Sequence, residues 1–309
     1  MRERRLGLAA LAALIVLDLV LIVMALNSGS SGSATKVAAD VTRTSVVSGG
    51  SAAASAAGGS PSAGATSGAG TDAAAPQALQ TVLNADGSLF SVKPGVCGFG
   101  GAAASLQNPT TSTTNDVALP VQVVSAVDTL GNGTDYVVGS APECADIQFY
   151  AKEGEGWGSG LPLAEIFALV PKDNGLVITP EWGVKASPCP AISLAAGDPG
   201  KAFVLCREGS VMQVTSGGFN GTGRLAGGRA LAAAAGNILF AAAQADGCNG
   251  LAVSTSLNSG ASWQQLSCIA GAAGDGSVGI ALRDRSVAVV DATGKIYRSS
   301  DNGVTFITS

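Results

Sequence analysis

The chain has 309 residues, 17 Lys plus Arg against 22 Asp plus Glu, and no histidine. The missing imidazole excludes His-based catalytic triads and His metal sites, and removes the commonest general base. A net charge of −5 argues against nucleic acid as a partner, because phosphate binding draws on a basic surface.

Residues 1–5 form a basic stub with Arg2, Arg4 and Arg5, and Leu6–Leu26 follows as 21 residues with Asp18 as the only charge. A helix needs about 20 apolar residues to cross a bilayer core. Cleavable signal peptides use a shorter apolar stretch ending at a small-residue site, whereas this run ends in Ala25-Leu26-Asn27. The expectation is a single transmembrane helix over 6–26. The arginines before it place the N-terminus in the cytoplasm and the rest outside. Asp18 near mid-span costs about 2.5–3.5 kcal/mol. It is either a contact to a membrane partner or one protonated carboxyl tolerated by its apolar neighbours.

Residues 27–76 are dominated by Gly, Ser, Ala and Thr, with Lys36, Asp40, Arg43 and Asp72 as their charges. Such a composition buries too little apolar surface to fix one conformation. As a coil the segment reaches on the order of 40 Å, which suits a tether. Val37–Val47 is richer in Val and Thr and is a candidate strand that could return to the folded domain.

The folded domain is expected over 77–309, where 12 Lys plus Arg stand against 18 Asp plus Glu. All six cysteines lie there: Cys97, Cys144, Cys189, Cys206, Cys248 and Cys268. An even count beyond a membrane span fits an oxidising compartment. Cys248 and Cys268 flank Asn258 symmetrically, and Cys189 and Cys206 flank the turn sequence Gly197-Asp198-Pro199-Gly200. In simple hairpins each pair would face across two strands within disulfide range. Six cysteines allow about 15 connectivities, and Cys97–Cys144 follows only by elimination.

A frame of Gly-x-apolar-apolar, closed by a second Gly eight to ten residues on, recurs from Gly87 to Gly95, Gly175 to Gly183, Gly209 to Gly218, Gly250 to Gly260 and Gly294 to Gly303. A degenerate copy runs from Ala145 to Gly154. The mean interval is about 41 residues, the length of four short strands with their turns. Turn residues recur at the spacing of an all-β domain. The alanine runs at 102–104 and 230–235 are read as strand, since small residues suit strands crowded near an axis. The fold class is therefore all-β, a β-propeller of about six blades with five or seven as alternatives. The first blade lacks one strand, which Val37–Val47 would supply.

Within the last two frames, Ser256, Asn258, Gly260, Ser262 and Trp263 match Ser299, Asp301, Gly303, Thr305 and Phe306 at a distance of 43 residues. This Ser-x-Asp/Asn-x-Gly-x-Ser/Thr-aromatic pattern resembles the Asp-box, or BNR repeat, of sialidase-like β-propellers. The resemblance implies a propeller in which these residues build a turn and the aromatic packs beneath it. It also raises a glycan hydrolase as an alternative. That family's site implies an arginine trio and a tyrosine nucleophile paired with a glutamate. No arginine precedes Arg207 in the folded domain, and Tyr297 lies in an Asp-box strand, so the resemblance covers blades and not the active site.

Other chemistry is thin. Glu143, Asp146, Glu153, Glu155, Glu165 and Glu181 could contain a carboxylate pair, although a solvated acidic face is the plainer reading. Gly217–Gly223 lacks the Lys-Ser/Thr of a phosphate loop and reads as a loop between blades. Trp157 and Trp182 stand near turns, as core residues or as platforms for a sugar or peptide. The sequence implies no cofactor and no metal. The expected function is a membrane-anchored, extracytoplasmic module that binds a protein or glycan on its loops for scaffolding or assembly. An envelope sensor acting through a membrane partner is a further alternative.

Overall fold

In the computed structural model, the described residues are 77–129, 134–154, 156–159, 166–180, 182–198 and 200–309. The Leu6–Leu26 span, Asp18, the tether and Val37–Val47 lie outside them. No helix among the described residues is long and apolar enough to cross a membrane.

Six antiparallel sheets follow one another along the chain, the blades of a β-propeller. The first comprises β1 (Gln80–Leu83), β2 (Leu89–Lys93), β3 (Ala103–Gln107) and β4 (Thr114–Val117), and the second β5 (Val123–Thr129), β6 (Asp135–Ser140), β7 (Ile147–Glu153) and β8 (Gly156–Ser159). The third holds β9 (Ala168–Val170), β10 (Asp173–Thr179) and β11 (Gly183–Ala186). The fourth is built from β12 (Ala191–Ala196), β13 (Ala202–Cys206), β14 (Ser210–Thr215) and β15 (Gly218–Arg224). The fifth contains β16 (Gly228–Ala234), β17 (Ile238–Ala243), β18 (Gly250–Ser256) and β19 (Gln264–Ala270), and the sixth β20 (Gly279–Arg283), β21 (Ser286–Val290), β22 (Ile296–Ser299) and β23 (Ile307–Thr308).

First strands line the axis: β1 neighbours both β5 and β20, and β16 neighbours β12 and β20. The alanine run in β16 sits in this inner ring, as crowding near the axis requires. Blade 3 departs from the plan. Asn174 Nδ2 donates to the carbonyl of Ala191 at the start of β12, 3.0 Å away. The β9–β10 turn therefore lies on the face where the inner strands begin, and β9 occupies the second position of its blade. No described strand fills the inner position there, and residues 160–165 lie outside the described set.

Strands such as β13 and β21, between blades on both sides, are two-sided, which explains their nearly continuous apolar sequences. Along β13, Ala202 and Val204 face blade 3, whereas Phe203 and Leu205 face blade 5. Along β21, Val287 and Val289 face blade 5, whereas Ala288 and Val290 face blade 1. This is the period-2 alternation of a strand with both faces buried. The core is thus a set of seams between successive blades, and burying a residue such as Leu205 completely contributes about 1.5–3 kcal/mol.

The first blade has four strands drawn from 80–117. The expectation that it lacks a strand is corrected: β1 is short but present, so no return of Val37–Val47 is needed to complete it. The Gly217–Gly223 segment is also corrected. It forms the outer strand β15 rather than a loop, and Gly223 is required there because a Cβ would meet the Gly260 carbonyl oxygen at 2.1 Å.

Three disulfides join Cys97 to Cys144, Cys189 to Cys206 and Cys248 to Cys268. The pairings agree with expectation, but the geometry differs. Ala252, not Cys248, is the register partner of Cys268, and Ala191 rather than Cys189 that of Cys206. In each pair one cysteine stands just before a strand and clamps its base. Cys97–Cys144 instead ties the β2–β3 loop of blade 1 to the β6–β7 loop of blade 2.

Candidate functional site

The two matching turns are nearly identical in their bonds. Ser256 Oγ accepts from Gly260 N at 2.8 Å, and Ser299 Oγ accepts from Gly303 N at 2.8 Å. Asn258 Oδ1 accepts from Ser262 N at 2.9 Å, as Asp301 Oδ1 does from Thr305 N at 2.9 Å. Gly260 and Gly303 hold φ of 91° and 83°, a region open mainly to glycine. Each turn docks on the preceding blade: Gly303 O accepts from Ser267 Oγ at 2.7 Å. Trp263 packs into the seam of blades 4 and 5, and Phe306 into that of blades 5 and 6. Hydrogen bonds from Ser299 and Thr305 hold Asp301 well below the usual carboxylate range. These bonds hold each turn in shape.

These turns share one face, the turn face, with the β1–β2 and β20–β21 turns. The opposite, leading face carries the loops before the inner strands. There Ala78 N donates to Ile192 O at 2.8 Å and Leu79 N to Val278 O at 2.9 Å, so the lead-in spans blades 4 to 6 at that end of the channel. The central cavity, about 140 Å³, is lined by inner strands of blades 1, 2, 4, 5 and 6 and by Asp128 and Arg283 near the turn face. Burial pushes Asp128 up to about 6, against a hydrogen bond from Thr129 N and with help from the Asp135 charge. Asp135 is itself raised, chiefly by burial, and accepts from Asn84 Nδ2 at 3.4 Å. Burial, then the Asp128 charge, raises Tyr136. The rim is acidic beside blades 1 and 2 and basic at Arg283. Sequence reasoning missed Asp128, because nothing local distinguishes it from other acids.

On the leading face, the Cys97–Cys144 bridge holds a loop in which Val96 N donates to Gly100 O at 3.1 Å and Gly98 N to Pro142 O at 2.9 Å. The loop presents Phe99 at 80 % exposure and Val96 at 59 %. No sequence signal beyond the adjacent cysteine marked these two residues.

Trp157 packs on Phe90 with ring centroids 6.2 Å apart and donates from Nε1 to Ala118 O at 2.9 Å. Trp182 meets Phe167 edge-on at 6.3 Å. Trp157 thus packs between blades 1 and 2, and Trp182 within blade 3 against the cluster it shares with blade 4. Glu143 and Asp146 are exposed, and Glu155, Glu165 and Glu181 lie outside the described residues. The grouping with metal-like spacing among the described residues, Cys189, Cys206 and Glu208, has both sulfurs joined in a disulfide.

No protein-family model matches the chain, and no curated protein does. Among solved structures it is similar to the tricorn protease, at 11% identity and a TM-score of 0.44 over 75% of this chain and 26% of that one. It is also similar to YCF48 bound to D1 peptide, at 14% identity and a TM-score of 0.42 over 76% and 82% of the two chains. Regucalcin, a calcium-binding protein from Agrobacterium tumefaciens, is similar at 10% identity and a TM-score of 0.48 over 71% and 82%. The chain thus spans about a quarter of the tricorn protease. The six-bladed β-propeller fold rests on the chain's own sheet topology.

Proposed function

We propose that this chain is a membrane-anchored, extracytoplasmic propeller that binds a protein partner, for scaffolding or assembly, and whose two Ser-x-Asx-x-Gly turns are Asp-boxes. The carrying observation is Phe99, 80 % exposed on a loop braced by Cys97–Cys144. A rigid aromatic tip gives a partner contact area with little ordering cost. Three disulfides and the Leu6–Leu26 run support an anchored domain in an oxidising compartment. Photo-crosslinking from position 99 in the membrane-embedded full chain tests the reading, with position 257 as control. A discrete adduct from 99, competed away by unmodified protein but not by its Phe99→Ser variant, is expected. Equal labelling from 99 and 257 would sink it.

A second reading, a glycan hydrolase with an atypical site, draws on Asp128, a channel acid raised to about 6, the range of a general acid near neutrality. Hydrolysis of an aryl glycoside panel by the wild type, lost in Asp128→Asn, is the outcome this reading requires.

A further inference from the structure

On the turn face, where the last blade meets the first, a cavity of about 300 Å³ opens, separate from the Phe99 loop on the opposite face. Leu83 and Val287, 5% and 2% exposed, form its floor, and Ile307 stands at its lip, 72% exposed. Its charged lining is Arg298, Arg283 and the exposed Asp284. Arg283 borders both this pocket and the central channel.

Arg298 has only neutral partners. Its Nε and Nη2 donate to Gln107 Oε1 at 3.2 and 2.8 Å, and its Nη1 donates to Gly87 O at 2.8 Å. A guanidinium carries five N–H donors, so one on each Nη is left over. The ion pairs among the described residues, Lys201–Asp198 and Arg229–Asp275, involve neither Arg298 nor Arg283. Burial lowers the Arg298 pKa, as expected of a partly desolvated cation with no acid beside it. Arg283 at the rim also acts on Asp86, whose carboxyl its charge helps to lower, so Arg298 is the lining cation with no acid beside it. A half-buried guanidinium is stabilised most by an anion that accepts its spare N–H bonds.

We propose that the seam pocket binds a small aliphatic carboxylate, its anionic group on Arg298 and Arg283 and its hydrocarbon against Leu83, Val287 and Ile307. The volume lies at the lower end for ligand pockets, which limits the ligand to a short chain. The probe is sodium hexanoate, titrated calorimetrically into the full chain, with 1-hexanol as the uncharged control. Saturable binding of hexanoate is expected, with hexanol about tenfold weaker or more. Arg283→Gln and Arg298→Gln should each weaken hexanoate about tenfold. Arg298 also fastens the blades, so Arg283→Gln at the rim carries the test if Arg298→Gln does not fold. Absence of saturable hexanoate binding, hexanol binding as tightly, or unchanged binding in Arg283→Gln would overturn the proposal.

Discussion

Arg298 on β22 and Gln107 on β3 are 191 residues apart, and two hydrogen bonds from the guanidinium to Oε1 join the last blade to the first. Every blade is built from consecutive strands, so among the described residues no strand is shared across the closing seam. Closure rests on this pair, the Arg298–Gly87 bond, the backbone bond from Leu79 N to Val278 O and the cluster of Leu83, Leu89, Ala281, Ala288, Val290 and Ile296.

Gln107→Ala is therefore expected to destabilise the propeller by about 1–3 kcal/mol, because it leaves a partly buried guanidinium short of acceptors. Gln107→Glu, which supplies a carboxylate at the same reach, should retain stability. Urea unfolding of both variants checks this. Equal loss in the two would assign the effect to packing rather than to the acceptor.

The Cys97–Cys144 bridge should matter most among the three disulfides. Its sequence separation is 47, against 17 and 20 for the others, and the chain entropy that a cross-link removes from the unfolded state grows with loop length. The loop term is about 4 kcal/mol for the longest and about 3 for each of the others. Replacing both Cys97 and Cys144 by Ser should lower the melting temperature more than removing either other pair. Proteolysis should then begin within 94–102, because the bridge is also that loop's brace.

The repeat was legible because each Gly-x-apolar-apolar frame falls in a different blade. It falls on the third-position strand in blades 2 to 6 but on the second, β2, in blade 1. That offset explains the long first interval. The true third strand, β3, begins in Ala103-Ala104, which carries no large apolar signature. The short intervals around Gly175 reflect the reduced blade 3. Disulfide pairing was legible where two cysteines clamp one hairpin, since that proximity is local. Arg298–Gln107, Asp128 in the channel and the exposed Phe99 were not legible. Their meaning comes from which blades closure brings together, and no sequence spacing encodes that.

Asp301 and Asn258 occupy equivalent turn positions and accept equivalent backbone bonds, so Asp301→Asn should fold normally while Asp301→Ala lowers the melting temperature. The carboxylate differs in its response to acid. Its folded pKa is depressed below 3.8 by hydrogen bonds from Ser299 and Thr305. Its contribution is full above the unfolded value and is lost as pH falls through the folded one. Thermal melts should show the wild type losing more stability than Asp301→Asn on going below about pH 4.

Phe99→Ser should leave the melting temperature unchanged, since the ring is 80 % exposed and belongs to none of the seam clusters. Surface substitutions of this kind stay within about 0.5 kcal/mol. A marked drop in calorimetry would mean that Phe99 packs against the domain in solution and is not presented to a partner.

Asp128 predicts the opposite pH response. Its folded pKa is raised from 3.8 to about 6 by burial, so between these values the folded state binds more protons than the unfolded one. Stability must then fall as pH rises through that window and level off above it. The full shift corresponds to about 3 kcal/mol, as an upper bound. Asp128→Asn removes the titrating group and keeps the hydrogen bond from Thr129 N. The variant should match the wild type near pH 4 and exceed it in stability at pH 7. Urea unfolding at the two pH values measures the difference directly. A wild type whose stability relative to Asp128→Asn is the same at both would show that Asp128 is solvated and ionises normally, and the hydrolase reading would lose its acid.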